Sequence, residues 1–301
     1  MDTDLIHKTV LLKESIDGLS IKNGDIYLDG TLGSAGHTEY VLKNFSNITV
    51  IGLDRDTEAL ARSKKRLESY DFSKIHLLES SYADLGAVLD TLNIPKVNRI
   101  ILDLGLSSDQ FESSGRGFTF KNDEPLLMTF KKDQSNDGLT AKTIVNTWQE
   151  NNIADILYGY GEEKYSRKIA RAIVNYREKK SIDTTKELVE IISNSVPSFY
   201  RNGKLHPATR TFQALRIAVN DELNTLKAGL KSGFERLESS GRIAVISFHS
   251  LEDRIVKNFN KEKSESGEGV IITKRPITPT YEEISNNRRS RSAKLRILEK
   301  L

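Results

Sequence analysis

The chain contains no cysteine. That absence excludes disulfide scaffolds, thiolate zinc sites and every mechanism that runs through a cysteine nucleophile. No apolar run approaches the roughly 18 residues that cross a bilayer; Ile243-Ala244-Val245-Ile246 is typical of the runs present. The first residues, Met1-Asp2-Thr3-Asp4, are acidic and carry no signal-like stretch, so a cytoplasmic location with no membrane partner is expected. The 5 histidines are scattered without ligand spacing, so no metal is expected. An excess of one charge is missing as well. The 45 Lys and Arg against 42 Asp and Glu leave a formal net charge of +3, too little by itself to point to a nucleic-acid partner.

What is present is a globular composition. The 301 residues are 37% hydrophobic and 29% charged, enough for one large domain or two ordinary ones. The basic residues are unevenly placed: residues 270–301 carry Lys274, Arg275, Arg288, Arg289, Arg291, Lys294, Arg296 and Lys300 against Glu282, Glu283 and Glu299. This tail is +5 and the rest of the chain −2.

The first 110 residues alternate short apolar strands with helical patterns, which predicts an α/β fold with a parallel sheet covered on both faces. Strands are expected at 25–29, 48–53, 75–78 and 99–102, and helices from the Gly-rich turn through Leu42 and from Thr57 to Ser69, with Thr57 as cap. The next clear strand is 242–247, preceded by one long helix from Thr209 to Glu238. About 100 residues between are left over, far more than a βα connection uses, and they predict an inserted domain. Its pattern is helical: Ile153, Ile156, Leu157, Tyr160 and Tyr165, Ile169, Ile173, Tyr176 recur at three- and four-residue spacing, and Thr185 to Ile192 repeats it. Core packing is the expected use of these stripes. The boundaries fall at 1–108 with 207–301 for the discontinuous sheet domain and 109–206 for the insert. A helix from Leu251 to Phe259, a polar loop at 261–269 and an edge pair of strands, 270–272 and 295–298, close the chain.

Chemistry collects at the ends of these strands. The turn Gly30-x-x-Gly33-x-x-Gly36 follows the first, and Asp54 ends the second, 21 positions beyond Gly33, where a carboxylate can accept both hydroxyls of a ribose. The spacing departs from the G-x-G-x-x-G that cradles a pyrophosphate, which favours S-adenosyl-L-methionine over NAD. Without a ligand the same glycines would serve a tight strand-to-helix turn. Tyr82, past the third strand, is placed to lie near an adenine or simply to pack. Asp103 ends the fourth strand beside the point where strand order reverses and ligands bind.

Longer segments then carry a resemblance. Asp29-Gly30-Thr31-Leu32-Gly33-Ser34-Ala35-Gly36-His37, Asp103-Leu104-Gly105-Leu106-Ser107-Ser108 with Gln110, and Arg116-Gly117-Phe118-Thr119-Phe120 form the first group. The second is His206-Pro207-Ala208-Thr209-Arg210-Thr211-Phe212-Gln213-Ala214-Leu215-Arg216, Ser247-Phe248-His249-Ser250-Leu251-Glu252-Asp253-Arg254 and Arg291-Ser292-Ala293-Lys294-Leu295-Arg296. Together they resemble the bacterial 16S ribosomal RNA cytosine-N4 methyltransferase family. The resemblance implies a Rossmann-like methyltransferase sheet with an inserted all-helical, substrate-binding domain. It implies S-adenosyl-L-methionine as donor and a decoding-centre cytosine of small-subunit rRNA as acceptor, with the small ribosomal subunit as partner. Carried over by position, the cofactor would contact Ala35, Gly36 and His37, then Asp54 at the ribose, Tyr82 near the adenine, and Asp103 and Gln110 at the methionine end. Two departures stand out. Ala35 occupies a position where the family usually has Gly, which suits a backbone contact made at negative φ. Pro125-Leu126-Leu127-Met128-Thr129-Phe130 replaces a Pro-Leu-Asp-Met-Arg-Met run.

Methylation at cytosine carbon-5 needs a cysteine, so direct attack by the exocyclic amine is the expected route. Asp103 is the expected acceptor for its proton and thus the catalytic residue, with Ser107 and Ser108 either orienting the base or capping the next turn. His249 reads as a base or, more simply, as a packed strand-end residue. The basic tail is expected to meet phosphate, with Arg210 and Arg216 adding to it. An rRNA-binding assembly factor with incidental methyl transfer is the alternative, and the sequence leaves the oligomeric state open.

Overall fold

A computed structural model describes residues 8–105, 114–130 and 138–301. The chain divides into two compact units, Met1–Gly105 with Leu223–Leu301, and Leu106–Glu222.

The first unit is built on a seven-stranded sheet of order β3-β2-β1-β4-β5-β7-β6. Its strands are β1 (Ile26–Asp29), β2 (Thr49–Asp54), β3 (Ile75–Glu79), β4 (Val97–Asp103), β5 (Leu237–Ser247), β6 (Gly269–Ile271) and β7 (Lys294–Lys300). Strands β3, β2, β1, β4 and β5 run parallel, while β7 lies antiparallel between β5 and β6. Residues such as Ile100, Ile101 and Leu102 form unbroken apolar runs because both faces of these strands are covered. Tyr27, Val50, Ile101 and Ile246 pack on one side with Ile16, Leu19 and Val41 from helices Leu12–Leu19 and Gly36–Asn44. Leu28, Ile51, Ile100, Leu102 and Val245 pack on the other side with Leu89, Leu226, Leu230, Phe234 and Val256.

Several boundaries differ from the sequence reading, each for a local reason. The helix expected from Thr57 to Ser69 is Thr57–Arg66, and its cap is Asp56, whose carboxylate accepts the Glu58 N–H at 3.0 Å. The single helix expected from Thr209 to Glu238 is two, Thr209–Asn220 and Glu222–Arg236, separated by Asp221 in the left-handed region at φ 49°. The helix expected to end at Phe259 runs from Ser250 to Glu265 and absorbs most of the polar loop, because charged residues on an exposed face are good helix formers. The two closing segments form the expected pair at one edge of the sheet, antiparallel, with β6 as the border strand and β7 between it and β5.

The second unit packs helices Ala141–Thr147, Glu150–Gly159, Ser166–Arg177, Thr185–Ser195 and Thr209–Asn220 around one apolar core. Ile153, Leu157, Ile169 and Ile173 are fully buried in it, and Tyr160, Tyr165 and Tyr176 pack at its border. A capping box between Thr184 and Glu187 starts the fourth of these helices. The sequence boundary at 206 places Thr209–Asn220 with the sheet. In the structure Ala208, Phe212, Ala214 and Leu215 from this helix and its cap belong to the core of the second unit, so the helix lies with Leu106–Glu222. The altered run at 125–130 works through its backbone: Leu127 C=O accepts the Ala141 N–H, and Asn220 bridges Met128 C=O and Phe130 N–H. No helix among the described residues is long and apolar enough to cross a membrane.

Candidate active site

The register of three adjacent strands brings three carboxylates together. Asp29 ends β1 opposite Gly52 on β2 and Ile101 on β4. Asp54 and Asp103 stand two residues beyond those partners, so period-two alternation puts all three on the same side of the sheet at its carboxyl edge. The sequence reading singles out Asp54 and Asp103 but gives Asp29 no role. Its position at the end of the first strand, the pattern that marks the other two, is the available signal.

The Gly-rich turn is tied down on every side. Gly30 N–H donates to Ile101 C=O at 3.0 Å, Leu32 N–H to Leu53 C=O at 2.9 Å and Gly33 N–H to an Asp54 oxygen at 2.8 Å. The other Asp54 oxygen accepts the Asp56 N–H at 2.9 Å. Asp29 accepts the Thr38 hydroxyl at 2.8 Å and the Thr31 N–H at 3.2 Å. Thr31 Oγ1 in turn accepts the Asp103 N–H at 2.6 Å, which locks β4 to the turn. Gly30 leaves no room for a side chain, since a Cβ there would lie 2.5 Å from Leu102. Gly105 has the same role against Phe248, whose ring would meet a Cβ at 2.7 Å.

Ala35 caps the helix Gly36–Asn44 at φ 57°, in the left-handed region, which corrects the expectation of a negative φ. Only glycine adopts that conformation without a steric cost, which explains the residue usual at this position. The first turn of a helix leaves N–H groups without intrahelical acceptors, and the Gly36 N–H donates to no acceptor among the described residues. It therefore points a donor and the positive end of the helix dipole toward the carboxyl edge. His37 is buried in this turn. Tyr82 lies over the turn, with its Cβ against Gly30, and one ring edge packs on Gly229. Gln110, Ser107 and Ser108 lie outside the described residues.

The electrostatics of the cluster are unusual for a parallel-sheet edge. Desolvation, opposed by Thr38 and Thr31 and reinforced by Asp54, pushes the Asp29 carboxyl up to about 6. Desolvation and the neighbouring Asp29 and Glu252 push Asp103 up to about 7. Asp54 is also raised by burial. Among the described residues, no lysine or arginine side chain offsets the charge of any of the three. A cluster of buried acids without a cation suits a ligand that brings positive charge. The ammonium and sulfonium of S-adenosylmethionine supply it, and a helix-terminal N–H suits its carboxylate.

Other residues singled out by the sequence have structural partners. His249 caps the helix Ser250–Glu265 in a capping box with Glu252, whose carboxylate accepts the Phe248 and His249 N–H groups. In the tail, Arg296 and Lys294 pair with Asp253 at 2.6 and 3.1 Å, and Lys300 donates to the Phe234 and Glu235 carbonyls. Lys274, Arg275, Arg288 and Arg291 are the exposed members. Arg216 is held by Glu222 through two 2.8 Å hydrogen bonds, which removes it from the expected phosphate contacts.

A parallel sheet closed by an antiparallel seventh strand, with acids at its carboxyl edge beside a Gly-rich turn, defines a Rossmann-like methyltransferase. The chain belongs to the MraW methylase family, whose model matches residues 4–301. Its cofactor is accordingly S-adenosyl-L-methionine. It is 46% identical over 291 residues to the ribosomal RNA small subunit methyltransferase H of Sulfurihydrogenibium sp. (strain YO3AOP1), covering 97% of this chain and 98% of that one. It is 42% identical over 316 residues to the protein of that name from Oenococcus oeni (strain ATCC BAA-331 / PSU-1), covering all of both. Among solved structures, an rRNA methylase from Streptococcus thermophilus aligns with a TM-score of 0.47 at 12% identity over 98% of each chain.

Proposed function

We propose that the chain methylates the exocyclic N4 of a decoding-centre cytosine in small-subunit rRNA, using Asp103 to receive the amine proton. The acid cluster at the carboxyl edge is the observation that carries this reading, and the relatives' small-subunit rRNA methyltransferase names support the substrate class. The absence of cysteine leaves direct attack by nitrogen as the route.

When bound, the cofactor supplies an electrophilic methyl group on a sulfonium. The Gly36 and His37 backbone, following Ala35, receives its carboxylate. Asp54 holds the ribose while keeping the turn closed through Gly33. Tyr82 borders the adenine, and Asp103, with Gln110, orients the methionine end. The amine of cytosine is a weak nucleophile because its lone pair is delocalised into the ring, so alignment and a hydrogen-bond acceptor do most of the work. Burial raises this carboxyl to about 7 in the free protein, and the positive charge of the bound cofactor would hold it ionised, ready to accept the amine proton. The base must leave its stack to reach this edge, at a cost of about a few kcal/mol in paired RNA. The helical insert and the exposed tail residues Arg288 and Arg291 are its proposed RNA contacts.

The test is methylation of purified small subunits that lack the mark, followed by nucleoside mass spectrometry. N4-methylcytidine is expected with the parent chain and a loss of turnover with Asp103→Asn. Parent-like rates from that variant would remove Asp103 from the chemistry, and a methyl group on another atom would overturn the N4 assignment.

A further inference from the structure

One face of the second unit has the composition of a single-stranded RNA platform. Residues 164–177 and 197–210 together hold eight lysines and arginines and not one Asp or Glu, in a chain whose overall charge is nearly balanced. They meet in space at Tyr165 and Tyr200, whose rings lie 4.8 Å apart edge to face. Lys164 sits 5.4 and 5.2 Å from the two ring centroids, and Lys168 5.9 Å from that of Tyr165. The Tyr200 hydroxyl is anchored on the fully buried Glu163 at 2.5 Å, so the platform is fixed from beneath. Beside it Phe199 projects into solvent at 70% exposure, and residues 201–206 are all exposed. Arg201 and Lys204, in that segment, make no ion pair among the described residues.

Exposing a phenylalanine costs hydrophobic free energy that a folded chain gains nothing from by itself. Placed among these cations on an anchored aromatic pair, it has the two properties that bind unstacked RNA: charge along the backbone and a π-face for a base. We infer that Phe199 stacks on an unpaired base of the substrate while Lys164, Lys168, Arg201 and Lys204 hold the flanking phosphates. This inference rests on the proposed RNA substrate and names the residues that would dock it on the helical insert, which the resemblance gives only as substrate-binding, beside the phosphate contacts expected of the C-terminal tail.

The experiment uses the full chain and a fluorescently labelled single-stranded RNA of about 20 nucleotides, titrated at several salt concentrations. Arg201→Glu with Lys204→Glu should weaken binding and flatten the salt dependence, by about 0.7 in the log–log slope for each phosphate that is no longer neutralised. Phe199→Ala should weaken binding by about fivefold to a hundredfold and leave the slope unchanged. Cofactor affinity by calorimetry should match the parent in both variants. If both variants bind RNA like the parent, the surface is refuted while the RNA methyltransferase reading stands. If the parent itself binds no RNA, the underlying reading fails as well. Loss of binding to poly-glutamate with RNA binding intact would make the face a dock for an acidic protein and overturn the inference.

Discussion

Cofactor affinity should depend on pH through Asp103. The carboxyl titrates at about 7 in the free protein because it is desolvated beside Asp29 and Glu252. A sulfonium and an ammonium arriving next to it favour the ionised form, so binding must expel the proton. If the bound carboxyl falls two or more units, the apparent dissociation constant scales as one plus ten to the power of (7 − pH). Affinity should then be about eightfold weaker at pH 6 than at pH 7.5, equivalent to about 1.3 kcal/mol. Asp29, at about 6, should contribute a further factor of about two at pH 6 if it too must ionise. Calorimetry at pH 7 in buffers of different ionisation enthalpy should show about half a proton released per cofactor bound. The window should stay below about pH 7.5, where an α-amino group begins to lose its own proton. Asp103→Asn should bind more weakly at every pH and lose most of the pH dependence. Affinity that is flat between pH 6 and 7.5, or proton uptake on binding, would refute the electrostatic account of the site.

The same acids should make the cofactor-free protein less stable as pH rises. Their folded pKa values exceed the unfolded ones, so the native state binds more protons between about pH 4 and 7 and stability falls across that window. The loss should be of order 2–4 kcal/mol, seen as a melting temperature lower at pH 8 than at pH 5, and Asp103→Asn should reduce the difference. Thr31→Val removes the oxygen that accepts the Asp103 N–H at 2.6 Å and should cost about 1–3 kcal/mol in urea unfolding, along with cofactor affinity. Gly36→Ala would drive a Cβ into Thr9 Oγ1; a destabilisation of about 1–3 kcal/mol and weaker cofactor binding are expected from calorimetry. Asp253→Asn should loosen β7 by freeing Arg296 and Lys294, lowering the urea midpoint while leaving the cofactor affinity of the folded protein unchanged.

The α/β alternation, the inserted helical region and the acids Asp54 and Asp103 at strand ends were legible in the chain itself, because hydrophobic period and turn glycines are local properties. The helical stripes of the insert were legible for the same reason. Local pattern does not report which strands become neighbours. The placement of β7 between β5 and β6 pairs two of the tail cations read as RNA contacts, Lys294 and Arg296, with Asp253, and leaves Arg288 and Arg291 exposed. Register alone made Asp29 the centre of the acid cluster, and burial, reinforced by Asp54, raised its pKa. The left-handed Ala35 and the break at Asp221 are likewise set by the packing around them. The cations of residues 164–177 and 197–210 come together only where folding sets Tyr165 edge to face against Tyr200. The sequence by itself determined the elements and the residue types available for methyl transfer. Only the tertiary structure decided which charges are neutralised and which remain to act, because desolvation and partner distance exist only between segments that folding brings together.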